Sequence, residues 1–218
     1  MRSFLRADPD VIMVGEMRDK ETTKTGVEAS LTGHLVLATL HTNSAPESVL
    51  RLLDMGMDPF NFADALLGTL AQRLAKTLCG DCRQAYEPDK SELEDLAAEY
   101  CHEQTVADAA DSAGHRRSQR QLISRWREER GDSGGRLILY RAAGCEHCGQ
   151  TGYRGRIGLH ELLVNSDVVK DHILSHAPVS DIFRTALDEG MRTLKQDGFE
   201  KILQGHTDIH QVRKVCVK

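Results

Sequence analysis

Val11-Ile12-Met13-Val14-Gly15-Glu16 is the stretch that decides the fold: four consecutive apolar residues, a glycine, then an acid. A run so short and continuous suits a parallel strand covered on both faces. Ahead of it, Ser3-Phe4-Leu5-Arg6 reads as the end of a helix. Asp8-Pro9-Asp10 breaks that helix, because proline disfavours helix at the preceding residue. Behind it a helix is expected from about 20 to 31, with Val27 and Leu31 one turn apart and Thr32-Gly33 as the stop. Leu35-Val36-Leu37-Ala38-Thr39-Leu40 is a second buried strand. Ser44-Ala45-Pro46-Glu47 reads as a capping box. It opens a helix whose apolar face is Val49, Leu50, Leu52 and Leu53, ended by Gly56. Phe62, Ala65, Leu66, Leu70 and Leu74 form a further helical stripe. Strand and helix therefore alternate through residue 78, the pattern of an α/β sheet.

The chain has 218 residues, 40% of them hydrophobic and 28% charged, which describes a globular protein with a real core. Only 5% are aromatic, so Leu, Val, Ile and Ala must build that core. No apolar run approaches the ~18 residues of a membrane span, and without a charged n-region followed by an apolar h-region no signal peptide is expected. The net charge of −5 gives no general reason to expect nucleic acid. Arg116, Arg117, Arg120, Arg125 and Arg127 cluster locally but alternate with Glu128, Glu129 and Asp132, which reads as a solvated helix face.

Character changes at Cys79. Ser91 to Tyr100 reads as a short amphipathic helix capped by Ser91 and Glu94. Residues 101–120 are small and polar, a mobile insertion with little to bury. Leu137-Ile138-Leu139-Tyr140 suggests a short strand. The last sixty residues read as helical, with Ser166, Ser180, Thr193 and Thr207 placed as N-caps and Gly190 and Gly205 placed as helix ends.

Four features carry chemistry. A strand ending in Gly15-Glu16 has the Walker B arrangement: the carboxylate stands at the C-terminal end of a strand, where open α/β sheets bind ligands. There it orients a water or holds magnesium through one. His34 and His41 bracket the second strand. Seven steps at about 3.3 Å separate them by roughly 23 Å in a straight strand. His41 shares the end of the sheet with Glu16 and is placed to sense a γ-phosphate, whereas His34 reads as a loop residue satisfied by backbone. Cys79-Gly80-Asp81-Cys82 and Cys145-Glu146-His147-Cys148 are two knuckles, each offering two thiolates, which together make a closed structural zinc site. Six cysteines without a secretion signal point to metal or free thiols rather than disulfides. His147 and Cys101 are alternative ligands, and Cys101 and Cys216 otherwise read as ordinary thiols. Finally, Thr151-Gly152-Tyr153-Arg154-Gly155-Arg156-Ile157-Gly158 suggests a tight turn into a strand or helix. No G-x-x-x-x-G-K-[ST] loop occurs, so the chain contains no backbone cradle for β- and γ-phosphates.

In order, the stretches at 2–19, 29–45, 51–60, 66–82, 144–163 and 189–205 resemble the type II secretion and type IV pilus assembly ATPases. The resemblance covers nearly all of the chain except about 87–137. It implies a partial RecA-like P-loop ATPase sheet over 1–78, a tetracysteine zinc-binding subdomain over 79–158 with a polar insertion near 101–135, and a helical subdomain over 159–218. Carried over by motif, Glu16 is the Walker B glutamate and His34 and His41 are the His box, with Glu16 and His41 catalytic and His34 and Arg73 binding nucleotide, and Cys79, Cys82, Cys145 and Cys148 are zinc ligands. Retraction motors of the superfamily lack the four cysteines, which points to an assembly or secretion member. The family further implies ATP with Mg2+, a homo-hexamer, an inner-membrane platform protein as partner, and a cytoplasmic place at that membrane. The Walker A loop and acidic box would precede Met1, so a P-loop-bearing partner chain is one expectation. A non-enzymatic, zinc-stapled interaction module is the other. A zinc-knuckle binder of nucleic acid fits poorly with the charge and the scarce aromatics.

Overall fold

The computed structural model describes residues 9–105 and 112–216, with the side chains of 103–115 left aside. The helix end read at 3–6 and part of the polar insertion lie outside the described residues. Contacts divide the chain into two compact units, residues 1–71 with 162–191, and residues 72–161 with 192–218. The tetracysteine segment therefore belongs with the last two helices, and the segment 159–218 is shared between units.

In the first unit β1 (Val11–Val14) and β2 (Leu35–Ala38) pair in parallel, Val11 opposite Leu35 and Val14 opposite Ala38. Helix α1 (Lys20–Leu31) connects them, with Asp19 accepting the Thr22 N–H at its start. α2 (Ala45–Asp54) begins at Ser44, which accepts the Glu47 N–H, while the Glu47 carboxylate reaches back to the Asn43 N–H. α3 (Pro59–Ala65), α6 (Asp167–Leu174) and α7 (Val179–Asp188) complete the unit. Val14, Val49, Phe62, Val169, Ile173 and Ile182 share its core. The parallel pairing is as expected, but the covering of both faces is not found among the described residues. Ile12 and Val36 pack inward, while Val11, Met13, Leu35 and Leu37 are 44–74% exposed.

Several expectations are corrected. The helix read over Phe62–Leu74 stops at Ala65, and β3 (Gly68–Leu78) takes over. Leu66, Leu70 and Leu74 recur every four residues, which fits one helix face but is also a multiple of the strand period of two. Gly68 serves the close approach of β3 to β6 (Tyr153–Val164): a Cβ there would stand 2.6 Å from the Leu163 carbonyl oxygen. β6 also replaces the helical start expected after residue 159. Leu159, Glu161 and Leu163 are buried while His160, Leu162 and Val164 are exposed, the alternation of a strand.

In the second unit β4 (Gln84–Tyr86) pairs antiparallel with β5 (Leu139–Arg141). The insertion is mostly a helical hairpin, α4 (Lys90–Thr105) and α5 (Ser112–Arg130). Leu93, Leu96, Ala97, Tyr100 and Cys101 are buried at the spacing of one helix face. They meet Leu122 and Trp126 of α5, and Phe199, Ile202 and Val212 of α8 (Leu194–Leu203) and α9 (Ile209–Val215). Asp89, rather than Ser91, accepts the first-turn N–H, that of Glu92. Ser166 and Thr193 cap as expected, but Pro178 precedes α7 and Asp208 caps α9. Thr207 instead donates to the Lys76 carbonyl.

Candidate functional site

Two sites stand out, one in each unit. The first forms just beyond the C-terminal ends of β1 and β2. Parallel register puts Gly15-Glu16 beside the residues that follow Ala38. The Thr39 hydroxyl donates to the Gly15 carbonyl, and the Met17 N–H donates to the Thr39 carbonyl at 3.0 Å. These bonds hold the two strand exits together after the ladder ends. Glu16 and His41 thereby meet, with His41 Nε2 3.3 Å from Glu16 Oε1.

Arg18 pairs with the other oxygen of Glu16. Its hydrogen bond to the carboxylate holds Glu16 below the usual carboxylate range, against an upward push from desolvation. Glu16 is thus a fixed anion, and His41, largely exposed, offers a ring nitrogen beside it. An ionised carboxylate with a neighbouring imidazole at a strand exit can orient water, bind a hydrated cation, or meet a phosphate oxygen. Arg18 was not singled out from sequence, although a cation two residues from the acid was a legible signal.

His34, the other histidine of the box, is at the opposite end of its strand. Its Nδ1 lies 3.0 Å from the Ala29 carbonyl oxygen and 3.2 Å from Thr32 Oγ1. It closes the C-terminus of α1, as the backbone-satisfied reading expected. Arg73 is exposed on β3, within the second unit.

The second site is the tetracysteine cluster. One ligand atom from each of Cys79, Cys82, Cys145 and Cys148 lies within 4.8 Å of all the others. Cys79 follows β3. Cys145–Cys148 is a 3-10 turn that Gly149 closes with φ of 60°. The Cys79 N–H donates to the Gly152 carbonyl at 2.9 Å and joins the two knuckles. Gly152 has φ of 76°, and a Cβ on it would lie 2.6 Å from Ala142 Cβ, so glycine is required there.

The sulfur positions fit zinc. A tetrahedron with metal–sulfur bonds of about 2.3 Å has edges of about 3.8 Å. The Cys79–Cys145, Cys82–Cys148 and Cys145–Cys148 separations are 3.9, 3.8 and 3.7 Å. Backbone donors already face the sulfurs: Gly144 N–H toward Cys82 at 3.4 Å, and the Cys145 and Gly152 N–H groups toward Cys148 at 3.2 and 3.1 Å. Burial opposes charge on Cys148, but these two N–H groups and the neighbouring thiols bring it down to about 6. Burial pushes Cys82 up to about 12, the Gly144 N–H opposes this, and hydrogen bonds with the neighbouring thiols add to it. Across the site His147 Nδ1 lies 3.0 Å from Asp81 Oδ2, so His147 joins the middles of the knuckles rather than replacing a thiol. Cys101 is buried in the core of α4 and α5.

The family model described as "Type II/IV secretion system protein" matches residues 1–214. The chain is 42% identical over 212 residues to the type IV pilus assembly ATPase PilB of Thermus thermophilus, covering 97% of this chain and 20% of that protein. It is 42% identical over 219 residues to the type II secretion system ATPase E of Vibrio cholerae, covering 99% and 36%. The chain thus spans about a third or less of the curated relatives it matches. Among solved structures, the Legionella pneumophila ATPase DotB aligns with a TM-score of 0.55 at 20% identity, over 98% of this chain and 40% of that one. The pilus retraction motor PilT with bound ADP aligns with a TM-score of 0.52 at 22% identity, over 98% and 41%. At these identities the two structures show the shared α/β fold.

Proposed function

The chain belongs to the type II/IV secretion system protein family, and on that premise we infer that it is part of an ATP-driven motor for type II protein secretion or type IV pilus assembly. The observation that carries this reading is the meeting of Glu16 and His41 at the exits of two parallel strands. Glu16 acts on the attacking water or on hydrated Mg2+, and His41 contacts the γ-phosphate. Arg73 is a further nucleotide contact, and His34 supports the strand from its other end. The sheet is a portion of a RecA-like core, and the exposed side chains of Val11, Met13, Leu35 and Leu37 are what further core elements would cover.

Cys79, Cys82, Cys145 and Cys148 would hold a structural zinc ion, which supplies a closed tetrahedral cross-link and leaves no position open for substrate. The residues around it orient the sulfurs through N–H donors and brace the knuckles through Asp81 and His147. In the complete assembly we place the chain in a homo-hexamer on the cytoplasmic side of an inner membrane, bound to a platform protein. No helix among the described residues is long and apolar enough to cross a membrane.

The sequence holds no P-loop, so these 218 residues are expected to hydrolyse no ATP by themselves. The cradle would come from another part of the motor or from a partner chain. That same observation favours a second reading, a non-enzymatic zinc-stapled module that docks on such a platform. Steady-state ATPase assays of the chain alone, and of the chain mixed with a P-loop-bearing relative, separate the two. Turnover that depends on mixing and disappears in Glu16→Gln supports the motor reading. Turnover unaffected by Glu16→Gln refutes the role given to that carboxylate.

A further inference from the structure

Helix α5 carries a charge pattern that neither site above uses. Arg116, Arg120, Ile123, Arg127 and Arg130 follow at intervals of four, three, four and three residues. That alternation averages 3.5 residues, the period that draws a straight stripe along a helix and lets a second helix lie beside it. At 1.5 Å per residue the stripe is about 21 Å long. All four arginines are exposed. Among the described residues α5 makes one ion pair, Arg125 to Glu129 at 3.9 Å, and Arg125 lies off the stripe. Leu122 and Trp126 anchor the helix in the core beneath, and Ile123 packs against that core from the stripe itself. The arginines are therefore displayed in line on a fixed helix.

We propose that this stripe docks an acidic helix of a partner protein whose carboxylates repeat at the same four-three spacing. The chemistry favours a carboxylate partner: every cation on the helix is arginine, whose planar fork matches a carboxylate in two parallel hydrogen bonds. Shape favours a helix. α5 holds six arginines against two glutamates in a chain of net charge −5, so the rest of the molecule is more acidic than the whole. A helix about 10 Å wide can lie along the stripe, within a Debye length of ~8 Å of its arginines. Among its described residues α5 exposes no apolar side chain to enter a bilayer and no aromatic ring to stack on a base.

The test is a fluorescence-anisotropy titration of the full chain at about 50 mM salt with a labelled synthetic helix bearing glutamates at four-three spacing. Comparators are a peptide of identical composition with shuffled glutamates, vesicles containing phosphatidylglycerol, and a short DNA duplex. The repeat peptide should bind at least about tenfold tighter than the shuffled one and weaken as salt rises. Arg116→Glu, Arg120→Glu and Arg127→Glu together should abolish binding, the single Arg120→Glu should weaken it several-fold, and Arg125→Gln should leave it unchanged. Circular dichroism of the variants checks that α5 still forms. Equal binding of repeat and shuffled peptides, unchanged binding by Arg120→Glu, or a preference for vesicles or duplex would each overturn the proposal.

Discussion

Removing the zinc proposed for the tetracysteine site should destabilise the second unit by several kcal/mol. Cys82 and Cys145 close a loop of about 62 residues, and the cross-link entropy of such a loop is about 4 kcal/mol at 25 °C. Zinc binds the folded site and not the unfolded chain, so its binding free energy is folding free energy, and the loop-closure figure serves as a floor for it. At a few degrees per kcal/mol for a unit of this size, the melting temperature should fall by about 10–20 °C. The assay is thermal denaturation followed by circular dichroism, on protein purified reduced and without chelator, before and after a strong chelator. Metal analysis should find one zinc per chain, and cobalt(II) exchanged into the site should show the visible absorption of a tetrahedral thiolate complex. Cys148→Ser should mimic the chelator. Cys101→Ser and Cys216→Ser should leave metal content unchanged, because neither sulfur belongs to the cluster. Absence of metal in the untreated protein, or a melting temperature indifferent to chelator and to Cys148→Ser, would refute the reasoning.

Three further outcomes are expected. Gly198→Ala should lower stability by about 0–2 kcal/mol in urea titrations, since overpacking of about 1–3 kcal/mol exceeds a helix-propensity gain of about 1. The new Cβ would stand 2.6 and 2.9 Å from the two methyl groups of the fully buried Val212. Val212→Ala in the same chain should recover part of the loss, and a Gly198→Ala protein more stable than the parent would contradict this packing. Glu99 accepts from Arg213 Nε at 3.0 Å and pairs with Lys195 at 3.0 Å. Burial raises its carboxyl, but these cations outweigh it and hold the group below 4.5. Its contribution, about 1 kcal/mol for a partly exposed pair, should be present above that ordinary value and be lost as pH falls through the lowered one. A Glu99→Gln variant should therefore differ from the parent at pH 7, and the difference should shrink toward zero as acid protonates the carboxyl, as acid titrations of stability will show. Trp126→Ala should cost about 3–5 kcal/mol, because the ring is 1% exposed and meets Tyr100 edge-on at 5.7 Å. Trp126→Phe should cost far less, because it also removes a buried indole N–H that has no partner among the described residues. Equal losses for the two variants would deny that reading.

Local chemistry made much of this protein legible in one dimension. The run at 11–14 and the helix at 20–31 follow from continuous apolarity and from the turn and cap residues beside them, and the structure has both. The cysteine pairs declared their cluster through spacing alone, because two thiolates three residues apart already form half of a tetrahedral site. Glu16 and His41 could be assigned to one end of a parallel sheet, since strand direction is set by the crossover helix between them.

What failed depended on partners distant in the chain. Leu66, Leu70 and Leu74 satisfy a helix and a strand equally, and the pairing of β3 with β6 chose the strand. Within the polar segment, residues 102–105 and 112–120 are helical because Tyr100, Cys101 and Trp126, on the two helices, share one core. The arginines of α5 were visible as a basic cluster, but their order into a stripe required a helix whose other side is held in a core. Sequence by itself determined which groups carry charge, thiolate and apolar surface, and over which short runs. Tertiary structure decided which of them meet, as Glu16 meets His41 and Cys79 meets Cys145, because hydrogen-bonded register and packing, not spacing along the chain, set those distances.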